Sequence, residues 1–313
     1  MTNPKRPDAE QEPATQRRVG AHAALILIGC CAAWGLNQVA IKVANQGISP
    51  VLQAGLRSAA AMVLVLAWAR LRGIPLFQRD GTLVAGSVAG LLFAAEFLLI
   101  YVGLNHTTAS RGTLFLYLAP FVVAAGAHFL VPGDRLTSPK LLGLAAALSG
   151  LALAMGEGLS SSTHTTLTGD LLSLAAAVAW GATTVVVRVS RLRLVSTEKT
   201  LIYQLAVSAL VLPAASLTAG EPGIVDLSPR VLFAFAYTVI VVATISYLAW
   251  FWLVRTYPPS QLAAFTFLSP AFGVVAGIAL LGEKPTLSLG AALALIALGI
   301  WLVNREPKGQ SAP

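Results

Sequence analysis

Ten apolar runs dominate this chain, each near the ~20 residues that a helix needs to cross a hydrocarbon core. They lie at 23–43, 50–70, 82–104, 108–131, 139–156, 170–189, 200–218, 231–254, 260–281 and 286–303. Lipid offers the backbone no water, so each run must satisfy its own N–H and C=O groups as a helix. None alternates apolar with polar residues as a barrel strand would. Only 11% of the residues are charged and mean hydropathy is +0.76, which is too apolar for a soluble domain. The expected fold class is an all-α polytopic membrane protein with ten transmembrane helices.

The positive net charge of +8 invites a nucleic-acid reading. Its cations are spread through loops between apolar runs and form no single patch, so no nucleic-acid partner is expected. They report orientation instead, because short cytoplasmic loops collect Lys and Arg. With the N-terminus inside, the inner segments carry 15 such residues, among them Arg72, Arg79, Arg135, Lys140, Arg191, Arg193, Lys199 and Arg255. The outer loops carry three, Arg111, Arg230 and Lys284. Both termini are therefore expected in the cytoplasm, with polar tails at 1–20 and 305–313.

A repeat runs through the apolar runs. Ala33-Trp34-Gly35, with Asn37 and Lys42 behind it, returns 146 residues later as Ala179-Trp180-Gly181, with Thr183 and Arg188 behind it. Ser110 and Pro120 return as Ser260 and Pro270, offset by 150. The turn Gly133-Asp134-Arg135-Leu136-Thr137 returns as Gly282-Glu283-Lys284-Pro285-Thr286. Each copy, 21–157 and 168–304, holds five runs. An odd count makes the second copy enter the membrane from the opposite side, giving two inverted repeats about an axis in the membrane plane. Two such halves can exchange conformations and expose one central site to each side in turn.

The order and spacing of these motifs resemble the drug/metabolite transporter superfamily, in its ten-helix EamA-type branch. The resemblance rests on Trp34-Gly35, Arg57, the run from Tyr101 through Asn105-His106-Thr107-Thr108-Ala109-Ser110, Leu118-Ala119-Pro120, Leu268-Ser269-Pro270 and the two Gly-acid-cation turns. It covers nearly the whole chain apart from the two tails. It implies a multi-pass transporter in a bacterial inner membrane that exports amino acids, other metabolites or toxic compounds. The second copy departs from the first, with no cation at the place of Arg57 and no acid at the place of Glu96.

A charge in the bilayer centre costs at least ~2.5 kcal/mol, so each one needs a reason. From the ~1.5 Å helical rise, Asn37, Arg57 and Glu96 fall ~4–6 Å to the outer side of the middles of their helices. Arg57 and Glu96 at one level are expected either to neutralise each other as a structural pair or to serve binding and coupling. Glu96 could carry a coupling proton. The repeat maps this set onto Thr183, Gln204 and Ser246 on the inner side, so the substrate site is expected between the two sets. Lys42 and Arg188, near helix ends, read as snorkelling cations or as gates. Pro120 and Pro270 read as kinks that free carbonyls near a cavity also lined by Tyr101, Tyr117, Trp34 and Trp180. Trp250-Phe251-Trp252 reads as an aromatic belt at the inner interface. Gly86…Gly90 and Gly273…Gly277 read as close helix contacts.

The partners expected are a small-molecule substrate, the lipid bilayer and protons, in a monomer or homodimer. No cofactor or metal is called for. His22, His106, His128 and His164 show no metal spacing, and no catalytic motif stands out. The rival classes are a membrane channel or scaffold, and an intramembrane enzyme without a recognisable motif.

Overall fold

The computed structural model describes residues 19–104, 106, 109–154, 167–281 and 287–305. The expected tails and the Gly-Glu-Lys-Pro-Thr turn fall almost wholly outside them. Among the described residues the chain is helical, with one isolated β-bridge between Ile48 and Ile224. The first half contains α1 (Ala21–Ala44), α2 (Pro50–Leu71), α3 (Leu83–Leu104), α4 (Ala109–Leu116), α5 (Ala119–Leu130) and α6 (Ser138–Ala154). The second contains α7 (Leu167–Val189), α8 (Thr197–Thr218), α9 (Pro229–Tyr237), a π-helical stretch (Thr238–Ser246), α10 (Tyr247–Thr256), α11 (Pro259–Phe265), α12 (Leu268–Leu281) and α13 (Leu287–Asn304).

Seven of these helical stretches are long and apolar enough to span a membrane: 21–41, 50–71, 83–103, 112–130, 167–189, 197–218 and 229–256. The runs expected at 139–156 and 286–303 form the shorter helices α6 and α13, of 17 and 18 residues. The run expected at 260–281 is split. The surface carries large apolar side chains such as Leu71, Val84, Phe129, Leu210, Phe233 and Trp301, while Ala61, Ala69, Ala147, Ser58 and Ser208 are buried. That inversion of size is what a lipid solvent selects, because acyl chains accept Leu and Phe while small residues let helices approach closely.

Both prolines break their helices where a bend was expected. Pro120 and Pro270 each follow a two-residue turn, at 117–118 and 266–267, that separates α4 from α5 and α11 from α12. A proline nitrogen cannot donate four residues back, and its ring clashes with that carbonyl. The turns close with tighter bonds instead: Leu118 N to Phe115 O at 3.1 Å and Ser269 N to Thr266 O at 2.9 Å.

Helices of one half pack chiefly on helices of the other, and the pairings reciprocate. α1 packs on α9 and α12, while α7 packs on α3 and α5; α2 pairs with α8, and α6 with α13. The repeated Trp-Gly pair explains its own glycine here. A Cβ on Gly35 would sit 2.6 Å from Ser269 O and 2.7 Å from Gly273 N of α12. One on Gly181 would sit 2.7 Å from Val122 Cβ of α5. Each glycine lets its helix rest on the broken helix of the opposite half. Where α2 crosses α8, Ser58 and Ser208, separated by the repeat offset, share a hydrogen bond of 2.9 Å. Gly86 and Gly90 likewise admit Tyr203 and Val207 of α8 against α3, within the bundle.

Candidate functional site

Helical periodicity gathers one face from each of several helices around a cavity of about 590 Å³. Trp34, Asn37, Ile41 and Asn45 descend one stripe of α1, and Phe93, Glu96, Phe97, Ile100 and Tyr101 form one face of α3. Intervals of three and four residues place them so. α2 contributes Arg57, α4 Thr113 and Leu116, and the turn after α4 Tyr117. The second half adds Trp180, Thr183 and Thr184 from α7, Val242, Tyr247, Trp250 and Phe251 from the π–α10 span, and Ala219 and Glu221 from the loop after α8. Both halves therefore build one chamber, of a size typical for small-molecule sites.

Arg57 is 2% exposed and stacks on the ring of Phe97, 4.4 Å from its centroid. Its Nε and Nη2 have no hydrogen-bond partner. Glu96 lines the same chamber, yet among the described residues no ion pair within 4 Å joins it to Arg57. The close ion pair expected of a mutually neutralising couple is thus not made. Consecutive residues 96 and 97 differ by ~100° around α3, and it is the phenyl ring of Phe97 that takes the guanidinium face. Asn37 does not complete the pair either: its Oδ1 is buried without a partner.

An aromatic cage encloses these polar groups. The Trp34 ring meets Trp250 edge-on at 5.5 Å and Tyr247 at 6.4 Å. Trp180 meets Tyr117 edge-on at 5.7 Å. Trp34 Nε1 is satisfied by Ser246 Oγ at 2.8 Å, and that hydroxyl donates to Val242 O at 2.7 Å.

Of the residues expected at a site, Trp34, Asn37, Arg57, Glu96, Tyr101, Tyr117, Trp180 and Thr183 line the chamber. Gln204 and Ser246 do not. Gln204 is fully buried beside its own helix, donating to Thr200 O at 3.3 Å, and Ser246 is consumed by Trp34. Pro120 lines a separate pocket of about 10 Å³, with Ala263, Thr266, Trp180 and Trp250. Pro270 lines neither. The Lys42 side chain lies outside the described residues. Arg188 is 5% exposed and does not snorkel: its Nη1 donates to the carbonyls of Val254 and Arg255. The expected aromatic belt is also corrected. Trp250 and Phe251 are 4% exposed and face the chamber, leaving Trp252 at the surface.

Sequence reading missed Phe93, Phe97, Asn45 and Glu221. The first three were legible from the stripes on α3 and α1. Glu221 was not, because a tertiary contact puts it there: its carboxylate accepts from Val51 N at 3.1 Å, Leu52 N at 3.0 Å and Ser216 Oγ at 2.6 Å. An anion at the first turn of α2 suits the free N–H groups there.

The chamber reaches the end of the bundle marked by Asn45, Pro50, Ala219 and Glu221. Polar contacts crowd the opposite end. Asp134 accepts from Ser260 N at 3.1 Å and from Ser260 Oγ, and pairs with Lys140 Nζ at 2.5 Å. Lys199 Nζ pairs with Asp80 at 2.8 Å and donates to Gln78 O at 2.8 Å. Lys199 and Thr82 hold the Asp80 carboxyl down at about 2.

The sequence pattern of the EamA-like transporter family matches residues 22–156 and again 167–305. Across 92% of this chain and 93% of its own length, an uncharacterized transporter of Bacillus subtilis, YvbV, is 29% identical. A probable amino-acid metabolite efflux pump of Escherichia coli is 26% identical over 91% of this chain and 94% of its own. A crystal structure at 22% identity superposes with a TM-score of 0.78, covering 91% of this chain and 96% of that one, so the fold is shared. The apolar spans, the chamber built from both halves and the double family match agree, and the chain belongs to the EamA-like transporter family, as a multi-pass membrane protein.

Proposed function

We propose that the protein exports small amphoteric metabolites, amino acids or close relatives, across a bacterial inner membrane by alternating access of two inverted five-helix repeats, 21–157 and 168–304. One observation carries the substrate class: a buried guanidinium with two unpartnered donors shares an aromatic chamber with a carboxyl group that makes no ion pair with it within 4 Å. Buried polar groups are normally paired. A ligand carboxylate would satisfy Arg57 in the bidentate manner that a planar guanidinium favours. A ligand ammonium group would face Glu96, and the rings would cover an apolar side chain.

The name of one relative, an amino-acid metabolite efflux pump, supports this direction. So does the reciprocal packing of the two halves, the arrangement that inverted repeats need to exchange roles. The Lys and Arg bias assigns the end crowded by Asp134, Lys140 and Lys199 to the cytoplasm, with both termini there. The chamber then faces the periplasm. Glu96 is the candidate carrier of a coupling proton, and a monomer suffices because one chain lines the whole chamber.

The test is counterflow in proteoliposomes with a library of amino acids and uncharged analogues. Saturable exchange that needs the free carboxylate supports the reading. Flux that never saturates, or that ignores the carboxylate, overturns it in favour of a channel or another substrate class.

A further inference from the structure

Cross-half contacts at the two ends of the bundle fall into two kinds. The loop after α1 and the start of α2 clasp the loop after α8: Ser49 Oγ donates to Gly223 O at 3.0 Å, and Glu221 caps Val51 and Leu52. Their counterparts under the repeat, the start of α8 and the loop after α2, clasp at the other end through Lys199, Asp80 and Gln78. Both clasps are closed in one structure. A contact made at both ends at once does not distinguish the open side from the closed one.

The seam between α5 and α11 is different. Beneath the Trp180–Trp250 floor of the chamber lies a pocket of about 10 Å³, bounded by Pro120, Val123, Ala263 and Thr266. That is room for about one water. At its far end the side chain of Asp134, fully buried, ties the loop after α5 to the first turn of α11 through Ser260 N and Oγ. Lys140 Nζ joins both, 2.5 Å from Asp134 and 3.0 Å from Ser260 Oγ. The two sides of this seam belong to opposite halves. In sequence the motif occurs twice, since Asp134 and Ser260 match Glu283 and Ser110, whose side chains lie outside the described residues.

The geometry points to Asp134, Ser260 and Lys140 as the inner latch of the transport cycle: they hold the α5–α11 seam shut while the chamber faces the opposite side, and they part to admit substrate. They are positioning residues and touch no substrate. The inference rests on the alternating-access reading.

Sided labelling tests it on the full-length protein in oriented membrane vesicles. Thr266→Cys places a thiol inside the seam, and a membrane-impermeant maleimide is applied to one face at a time. The parent protein, with Cys30 and Cys31 retained, supplies the background. Thr266→Cys alone labels slowly from the latch face. Adding Asp134→Asn raises that rate about tenfold or more, the scale expected for losing a charge-assisted hydrogen bond, without raising the rate from the other face. Asp134→Glu restores slow labelling. Ser260→Ala, which removes only the hydroxyl, gives a smaller rise and stands in where Asp134→Asn does not fold. Oxidising an Asp134→Cys, Ser260→Cys pair reduces labelling to background, and a reductant reverses this.

An unchanged latch-face rate in Asp134→Asn and Ser260→Ala, with melting like the parent's, overturns the latch. An equal rise from both faces overturns it too, as general loosening. If Thr266→Cys never labels from the latch face in any variant, alternating access itself fails, which separates the two readings.

Discussion

Substituting the repeated glycines separates the two halves of the fold quantitatively. In Gly35→Ala the new Cβ meets Ser269 O at 2.6 Å, Gly273 N at 2.7 Å and Phe272 Cβ at 2.7 Å. Two of those atoms are backbone in α12, so neither can turn away, and the helices must separate by several tenths of an ångström. Overpacking of this kind costs ~1–3 kcal/mol. In Gly181→Ala the nearest atoms are Val122 Cβ and Cγ1, both at 2.7 Å, while the nearest backbone atom, Ala119 O, is 3.2 Å away. Turning the valine moves Cγ1 but leaves Cβ, which is fixed to the backbone, so one immovable close contact remains against three in Gly35→Ala and the cost falls in the lower part of that range. Gly29→Ala meets nothing within 4 Å, and the better helix propensity of alanine leaves stability unchanged or slightly raised. The assay is thermal unfolding of purified protein in one detergent, where ~1 kcal/mol moves the midpoint by ~2–4 °C in chains of a few hundred residues. The expected order of melting temperatures is Gly29→Ala at or above wild type, then Gly181→Ala, then Gly35→Ala lowest. Equal melting of Gly35→Ala and Gly29→Ala would refute the packing of α1 on α12, and with it the physical reason offered for the Trp-Gly repeat.

Other expectations are accessible to the same preparations. Arg57→Gln should abolish saturable counterflow, and Arg57→Lys should raise the half-saturating concentration at least tenfold, because a lysine offers no bidentate fork; wild-type kinetics in Arg57→Lys would dismiss the carboxylate contact. Replacing Glu96 by Gln should remove any response of transport to an imposed pH gradient, and an unaltered response would end its assignment as proton carrier. Asp80 has its pKa lowered from 3.8 to about 2 by Lys199 and Thr82, so its contribution to stability is complete above about pH 4 and is lost as pH falls through about 2. The melting difference between wild type and Asp80→Asn should therefore shrink over that window; a constant difference would mean that Asp80 acts other than through its charge. Trp34→Phe keeps the ring contacts but drops the 2.8 Å bond to Ser246, and should cost ~0.5–1.5 kcal/mol in the unfolding assay, whereas no loss would place the indole N–H elsewhere.

The amino-acid sequence settled much of this on its own, and the reason is the solvent. Lipid enforces helices wherever ~20 apolar residues run together, so an all-helical membrane protein was legible from composition. The repeat of Trp34-Gly35, Ser110 and Pro120 likewise exposed the duplicated halves without any coordinates. Spacing of three and four residues already put Trp34, Asn37 and Asn45 on one stripe, and Phe93, Glu96 and Ile100 on one face. The tertiary structure decided what those faces meet. It gave the Arg57 guanidinium to Phe97 rather than to Glu96, because a shared depth in the membrane does not fix the rotation of one helix against another. It withdrew Gln204 and Ser246 from the site, since the repeat carries over position but not the hydrogen bond to Trp34 that consumes Ser246. It turned Trp250 and Phe251 inward, and it brought Glu221 to the mouth of the chamber from a loop 170 residues beyond Val51 in the chain. Periodicity is a local property and survives in the letters, whereas the choice of partner is made between segments far apart in sequence.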